Sequence, residues 1–191
     1  MRTQSNKYKA IFLDRDGVIN EDYGYVHSWD NFQFCDGAIN ALKILNSLDF
    51  KLIIITNQSG ISRGIFSDED YKFLTSKYLY ILKKNNIVID GVYYCPHHPL
   101  FSPKPFDKCR CRKPEPGLFQ QAAVEHKISL KDSIALGDKY TDLKAAFSCG
   151  IKRRFLIGSN LNNKFEDKSI VTGSFKSLYA FSKFFNNANI K

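Results

Sequence analysis

Short apolar runs closed by polar or glycine residues alternate along the chain with longer amphipathic stretches. Ala10 to Leu13 and Leu52 to Ile55 are apolar without alternation, the pattern of strands buried on both faces of a parallel sheet. Gly91 to Cys95, Ser133 to Leu136 and Phe155 to Ile157 read as three further strands. Between the strands, apolar residues recur at helical spacing. Asp36 is expected to cap a helix bearing Ile39, Leu42, Ile44, Leu45 and Leu48. Ser67-Asp68-Glu69-Asp70 reads as a capping sequence for a helix to Lys84, with Tyr71, Phe73, Leu74 and Tyr78 facing the core. A helix from Pro114–Gly117 to Lys127 carries Leu118, Phe119, Ala122, Ala123 and Val124. Another covers Leu143 to Ser148 and is ended by Gly150. A short edge strand near Ile170–Val171 and a last helix from Ser174 to Phe185 complete the reading. The alternation predicts an α/β fold, a doubly wound parallel sheet, as a single domain over residues 1–191.

Two stretches break the alternation. Residues 21–34 are rich in aromatics without helical period and read as a structured loop. The proline-rich stretch from Cys95 to Pro116, about 20 residues without an element, is too long to be a mere connection. It contains Cys95-Pro96-His97 and Cys109-Arg110-Cys111, four ligands of the kind that surround tetrahedral Zn²⁺. His98 is the rival for the second position; His97 is favoured because its spacing from Cys95 mirrors the C-x-C pair. Four protein ligands leave no open position, so the metal of this loop, residues 95–113, is expected to be structural.

Composition narrows the class. No apolar run approaches the roughly 20 residues of a membrane span, and Met1 to Lys7 has no signal-peptide character, so a cytoplasmic location is expected. Five cysteines, three of them within residues 95–111, fit a metal in a reducing compartment better than disulfides. Cys35 and Cys149 are expected to be buried small apolar residues. The net charge is +9, and the stretch from Lys152 to Lys191, which includes the basic C-terminal segment from about 159, carries +6 of it without a nucleic-acid motif. Nucleic acid is therefore not the expected partner. A second basic cluster, Lys104, Lys108, Arg110, Arg112 and Lys113, is better explained by an anionic substrate.

The chemistry gathers at strand tips. Asp14 and Asp16 follow the first strand directly, with Gly17 freeing the turn. Two carboxylates brought together raise one another's pKa unless a cation joins them. The second strand delivers Thr56, Asn57 and Gln58, a hydroxyl and two amides suited to phosphate oxygens. Ligands of open α/β sheets collect at this carboxyl edge.

Leu-Asp14-Arg15-Asp16-Gly, Thr56-Asn57-Gln58, Arg112-Lys113-Pro114 and Gly137-Asp138-Lys139 resemble, in order, the four motifs of the haloacid dehalogenase (HAD) superfamily. The resemblance implies a Rossmann-like HAD core and a phosphatase with Asp14 as nucleophile, Asp16 as acid and base, and Thr56, Arg112 and Lys113 assisting. It also implies Mg²⁺ held by Asp14, the Asp16 main-chain carbonyl and Asp138, ligands of the oxygen type Mg²⁺ prefers. Asp142, which follows Thr141, is expected to support the metal site. Asp22-Tyr23-Gly24-Tyr25-Val26-His27, Ser59-Gly60-Ile61, Arg63-Gly64 and Cys95-Pro96-His97-His98-Pro99 narrow the resemblance to the heptose 1,7-bisphosphate 7-phosphatase family, over Lys9 to Ile157. That family is capless with a zinc loop bound by Cys95, His97, Cys109 and Cys111. By the same resemblance Asp22, Tyr23, Gly24, Tyr25, Thr56, Asn57, Gln58, Ser59, Arg112, Lys113 and Lys139 contact a sugar phosphate destined for lipopolysaccharide. Histidinol-phosphate phosphatase is the related alternative. A zinc-stabilised, non-catalytic binding module is the alternative of another class, and a monomer is the simplest expected state.

Overall fold

The strand β1 (Ala10–Leu13) lies at the middle of the molecule, hydrogen-bonded on one side to β2 (Lys51–Asn57) and on the other to β4 (Ile134–Gly137). In this computed structural model, which describes residues 7–158 and 167–189, the six-stranded sheet has the order β3-β2-β1-β4-β5-β6. Its other strands are β3 (Gly91–Cys95), β5 (Arg153–Ile157) and β6 (Gly173–Phe175), and every pairing is parallel. The helices are α1 (Ala38–Asn46), α2 (Asp68–Lys84), α3 (Gly117–Glu125), α4 (Tyr140–Ser148) and α5 (Leu178–Asn189). Residues 1–6, 159–166 and 190–191, including the chain start and part of the basic C-terminal segment, lie outside the described residues.

The unbroken apolar run of β1 has the cause its pattern implied. Successive side chains alternate between faces. Ile11 and Leu13 join a core with Leu42, Leu45, Leu74 and Phe181 from α1, α2 and α5. Ala10 and Phe12 join a second core with Leu118, Phe119, Ala145 and Ala146 from α3 and α4. Each large side chain so buried contributes on the order of 1.5–3 kcal/mol. The doubly wound arrangement follows, because neither face of the central strands could remain in water. Both cores therefore fix the tip of β1, where Asp14 begins.

Several expected boundaries shift. The residue before α1 is Gly37 in a left-handed conformation (φ 72°), so Asp36 is not its cap. On α2 the Ser67–Asp70 capping box forms as expected, but Phe73 is exposed while Tyr71, Leu74 and Tyr78 are buried. Helix α4 begins at Tyr140, directly after the tip of β4. Ile170 and Val171 are not strand: Ile170 ends a 3-10 turn and packs against Leu143 and Leu156. The edge strand is β6, and α5 starts correspondingly later than Ser174. Cys35 and Cys149 are only half-buried. No helix of the described residues is long and apolar enough to cross a membrane. Among those residues no separate cap covers the carboxyl edge, which is bordered by the loops 21–34 and 96–116.

Candidate active site

The tips of β1, β2 and β4 and the end of the cysteine loop converge on a cavity of about 420 Å³. Asp14, Asp16, Asp22, Gly24, Tyr25, Thr56, Asn57, Gln58, Ser59, Arg112, Lys113 and Lys139 all line it. Tyr23 does not. Its ring is 66% exposed and its hydroxyl donates to Gln33 at 3.1 Å, outside the cavity. Asp138 lines the adjoining cavity with Gly17 and Glu21.

Lys113 is the centre of the arrangement. Its ammonium is buried and lies 2.9 Å from Asp14 Oδ1 and 2.8 Å from Asp142 Oδ1, and it donates to the Ile55 carbonyl at 2.8 Å. Burial alone would lower the lysine pKa; the paired carboxylates more than offset this and raise it. Asn57 holds the backbone behind it: its amide donates to the Lys113 carbonyl and accepts the Lys113 N–H, both at 3.1 Å. The Asn57 side chain is thus committed to placing Lys113.

Oxygens of Asp14, Asp138 and Asp142 lie within 4.8 Å of one another. Burial raises the Asp14 pKa, with Lys113 opposing and Asp142 adding to it. Burial, then Asp14 and Asp142, push Asp138 up to about 8, although Lys139 Nζ stands 3.4 Å away. Asp138 Oδ1 is buried without a partner among the described residues. An orphaned carboxylate oxygen in a cluster of like charges is the environment a hard divalent cation relieves. The turn that makes room for it needs glycine. Gly17 has φ 80°, and a Cβ there would stand 2.5 Å from Asp138 Oδ2. Asp142, at the first turn of α4, also accepts the Lys139 N–H at 3.0 Å. The sequence predicts a supporting place for Asp142 at the metal site; the structure adds its pairing with Lys113.

Around the cavity mouth, Lys139 Nζ pairs with Asp22 at 2.9 Å. Asp22 also accepts the Gly24 N–H at 3.0 Å, which folds the loop so that Gly24 and Tyr25 face the site. Gln58 Nε2 donates to Thr56 Oγ1 at 2.9 Å and to Asp16 Oδ2 at 3.0 Å. Gly60, from the Ser59-Gly60-Ile61 stretch, and Thr141 also line the cavity.

Beside it, donor atoms of Cys95, His97, Cys109 and Cys111 lie within 4.8 Å of one another. Cys111 Sγ is 3.0 Å from Cys95 Sγ and 3.3 Å from His97 Nδ1. His98 points elsewhere, to Arg63 at 2.7 Å. Three sulfurs and an imidazole in this closeness fit a soft or borderline metal. The cluster borders the catalytic cavity through Arg112, whose Nη1 donates to the His97 carbonyl at 3.3 Å.

Sheet order, carboxylate cluster and buried lysine together define a HAD-like phosphatase. A HAD-hydrolase-like family model matches residues 110–164. The chain is 47% identical over 149 residues to the D-glycero-beta-D-manno-heptose-1,7-bisphosphate 7-phosphatase of Haemophilus influenzae, covering 78% of this chain and 81% of that protein. Its identity to the protein of that name from Escherichia coli K12 is 44%, covering 78% of each. The crystal structure of D,D-heptose 1,7-bisphosphate phosphatase from B. bronchiseptica, complexed with magnesium and phosphate, superposes with a TM-score of 0.83. That match has 30% identity and covers 94% of this chain and 99% of the other. The chain belongs to the D-glycero-beta-D-manno-heptose-1,7-bisphosphate 7-phosphatase family.

Proposed function

We propose that this chain is a Mg²⁺-dependent phosphatase that removes the 7-phosphate of D-glycero-D-manno-heptose 1,7-bisphosphate through an aspartyl-phosphate at Asp14. Residues 1–191 would act as one cytoplasmic, monomeric catalytic unit supplying heptose for lipopolysaccharide. The observation that carries the catalytic reading is the buried Lys113 ammonium between Asp14 and Asp142, beside the unpartnered Asp138 oxygen. A non-catalytic binder has no use for so costly a cluster, since each buried charge must be offset by a partner.

Asp14 attacks phosphorus in line with the departing sugar oxygen, so that the P–O bond to the sugar breaks as the bond to Asp14 forms. Lys113 neutralises charge on the Asp14 carboxylate and on the phosphoryl oxygens, and the Thr56 hydroxyl donates to one of those oxygens. Asp16 gives a proton to the leaving oxygen, then takes one from the water that cleaves the aspartyl-phosphate. Asp14, the Asp16 main-chain carbonyl and Asp138 would hold Mg²⁺, which when bound supplies positive charge against the phosphoryl oxygens. Asp22, Gly24, Tyr25, Gln58, Ser59, Arg112 and Lys139 are assigned to the rest of the substrate, while Asn57 holds Lys113 in place and Tyr23 stays outside the cavity. Cys95, His97, Cys109 and Cys111 would hold a structural Zn²⁺ that fixes the loop ending in Arg112 and Lys113.

The test is phosphate release with Mg²⁺ from heptose 1,7-bisphosphate and from histidinol phosphate, for the wild type and Asp14→Asn. Release from the 7-position of the heptose, abolished in the variant, is expected. Preference for histidinol phosphate would overturn the substrate, and no release from either would overturn the enzymatic reading.

A further inference from the structure

Arg15 stands between the two aspartates and is wholly buried, the largest fully buried side chain among the described residues. Its guanidinium grips the Asp16 carboxylate from the inside: Nε donates to Oδ1 at 3.1 Å, and Nη2 lies 2.8 Å from Oδ1 and 2.9 Å from Oδ2. The same Nη2 donates to the Val26 carbonyl at 2.7 Å. Val26 directly follows Gly24 and Tyr25, which line the catalytic cavity. One side chain thus ties the Asp16 carboxylate to the substrate-facing loop.

Stability alone does not account for this residue. Replacing a buried ion pair by apolar side chains is often neutral or favourable. Here, moreover, Nη1 is buried with no partner among the described residues, leaving part of the desolvation cost uncompensated. The arrangement does fix a direction. With Arg15 behind it, and with Asn20 Nδ2 at 2.9 Å and Gln58 Nε2 at 3.0 Å, the Asp16 carboxylate is confined to one orientation at the cavity wall. Asp16 is also next in sequence but one to Asp14, so a small rotation at its side chain decides whether it can reach an oxygen leaving from phosphorus.

We propose that Arg15 is a positioning residue that aims Asp16 at the leaving-group oxygen and couples that aim to the Gly24–Val26 loop. The proposal rests on the reading of Asp16 as proton donor. A proton donor matters in proportion to the basicity of the leaving group. A sugar alkoxide needs the proton, whereas a nitrophenolate leaves without it. The quantity to compare is kcat/KM, which covers the steps up to the first release of leaving group, for heptose 1,7-bisphosphate and for p-nitrophenyl phosphate. Comparing both substrates in one preparation cancels any difference in the fraction of folded protein.

Arg15→Lys, which keeps a charge but not the forked grip, is expected to lose roughly tenfold more kcat/KM on the sugar than on the aryl ester, a fraction of the whole contribution of a general acid. Asp16→Asn should show the same skew, and more strongly. Equal losses on both substrates in Arg15→Lys, beside a skew in Asp16→Asn, would overturn the positioning role alone. Absence of the skew in Asp16→Asn would overturn the proton-donor reading and the proposal with it. Arg15→Gln is the second variant if Arg15→Lys does not fold; failure of both to fold would make Arg15 a structural residue and end the proposal.

Discussion

A single buried ammonium holds together carboxylates that would otherwise repel one another. Lys113 is hydrogen-bonded to Asp14, Asp142 and the Ile55 carbonyl, and its backbone is held by both ends of the Asn57 amide. Lys113→Met removes the charge but keeps most of the stem. Breaking a buried pair from one side is expected to destabilise the Mg²⁺-free protein by about 3–5 kcal/mol. It should also lower kcat/KM at saturating Mg²⁺ by at least about a hundredfold, the scale of one lost electrostatic stabiliser. Urea unfolding and steady-state kinetics on the same preparation check both, and an unchanged urea midpoint would show that the pairing is not made in solution. Lys113 itself was legible from the Arg-Lys-Pro motif, and Asp14 and Asp16 from the end of an apolar run. Asp142 was legible only as a support to the metal site; its pairing with Lys113 and the inward turn of Arg15 were not, because they depend on which distant groups the two side chains meet. Nothing in a linear reading says that Asp142 reaches Lys113, or that an arginine flanked by two aspartates turns inward to Val26.

At the scale of elements, the central strands were legible because burial on both faces leaves an unmistakable apolar run. Helix α2 was legible because its capping box is local. The errors fall where local pattern and tertiary use diverge. Ile170 is apolar because it packs on Leu143 and Leu156, not because it is strand. Phe73 is aromatic but lies two residues from Tyr71 and one from Leu74, off the face that Tyr71, Leu74 and Tyr78 share, and so emerges into solvent. The cysteine loop is the opposite case, with no regular pattern yet ligand spacings that name its cluster, and the structure chooses His97 over His98. A structural zinc site is worth roughly 10–16 kcal/mol of apparent folding energy in small peptides, ample to order such a loop. Arg112 bonds the His97 carbonyl, and Lys113 follows it. Stripping the proposed zinc with a chelator, then restoring Mg²⁺ in excess, is therefore expected to lower activity sharply while leaving most helical circular dichroism intact. Full activity in protein shown by metal analysis to be zinc-free would refute this.

For the molecule as a whole, the carboxylate cluster links stability to pH. Burial, Asp14 and Asp142 push Asp138 up to about 8, whereas an unfolded aspartate titrates near 3.9. Between those values the folded chain binds a proton that the unfolded chain has released. Metal-free stability is therefore expected to fall as pH rises from about 4 to about 8. Mg²⁺ needs the ionised carboxylates, so the rise in Tm on adding it should grow across the same window. Thermal melts at several pH values with and without Mg²⁺ test this, and a gain that shrinks toward pH 8 would contradict it.

β1 lies between β2 and β4, and both flanking partners follow it in the sequence, β2 about 40 residues on and β4 more than 120. A chain emerging from the ribosome presents Asp14 first, meets β2 early, and must wait for β4 before Asp138 and Asp142 arrive. The cysteine cluster, in contrast, is complete within one loop. Ligand capture by that loop can thus precede closure of the sheet, while catalytic competence cannot. Non-local pairing of this kind is the slow part of folding. The position of one central strand thereby sets a temporal order on biosynthesis, in which the scaffold around Arg112 and Lys113 can be ready before the carboxylates it serves have been assembled.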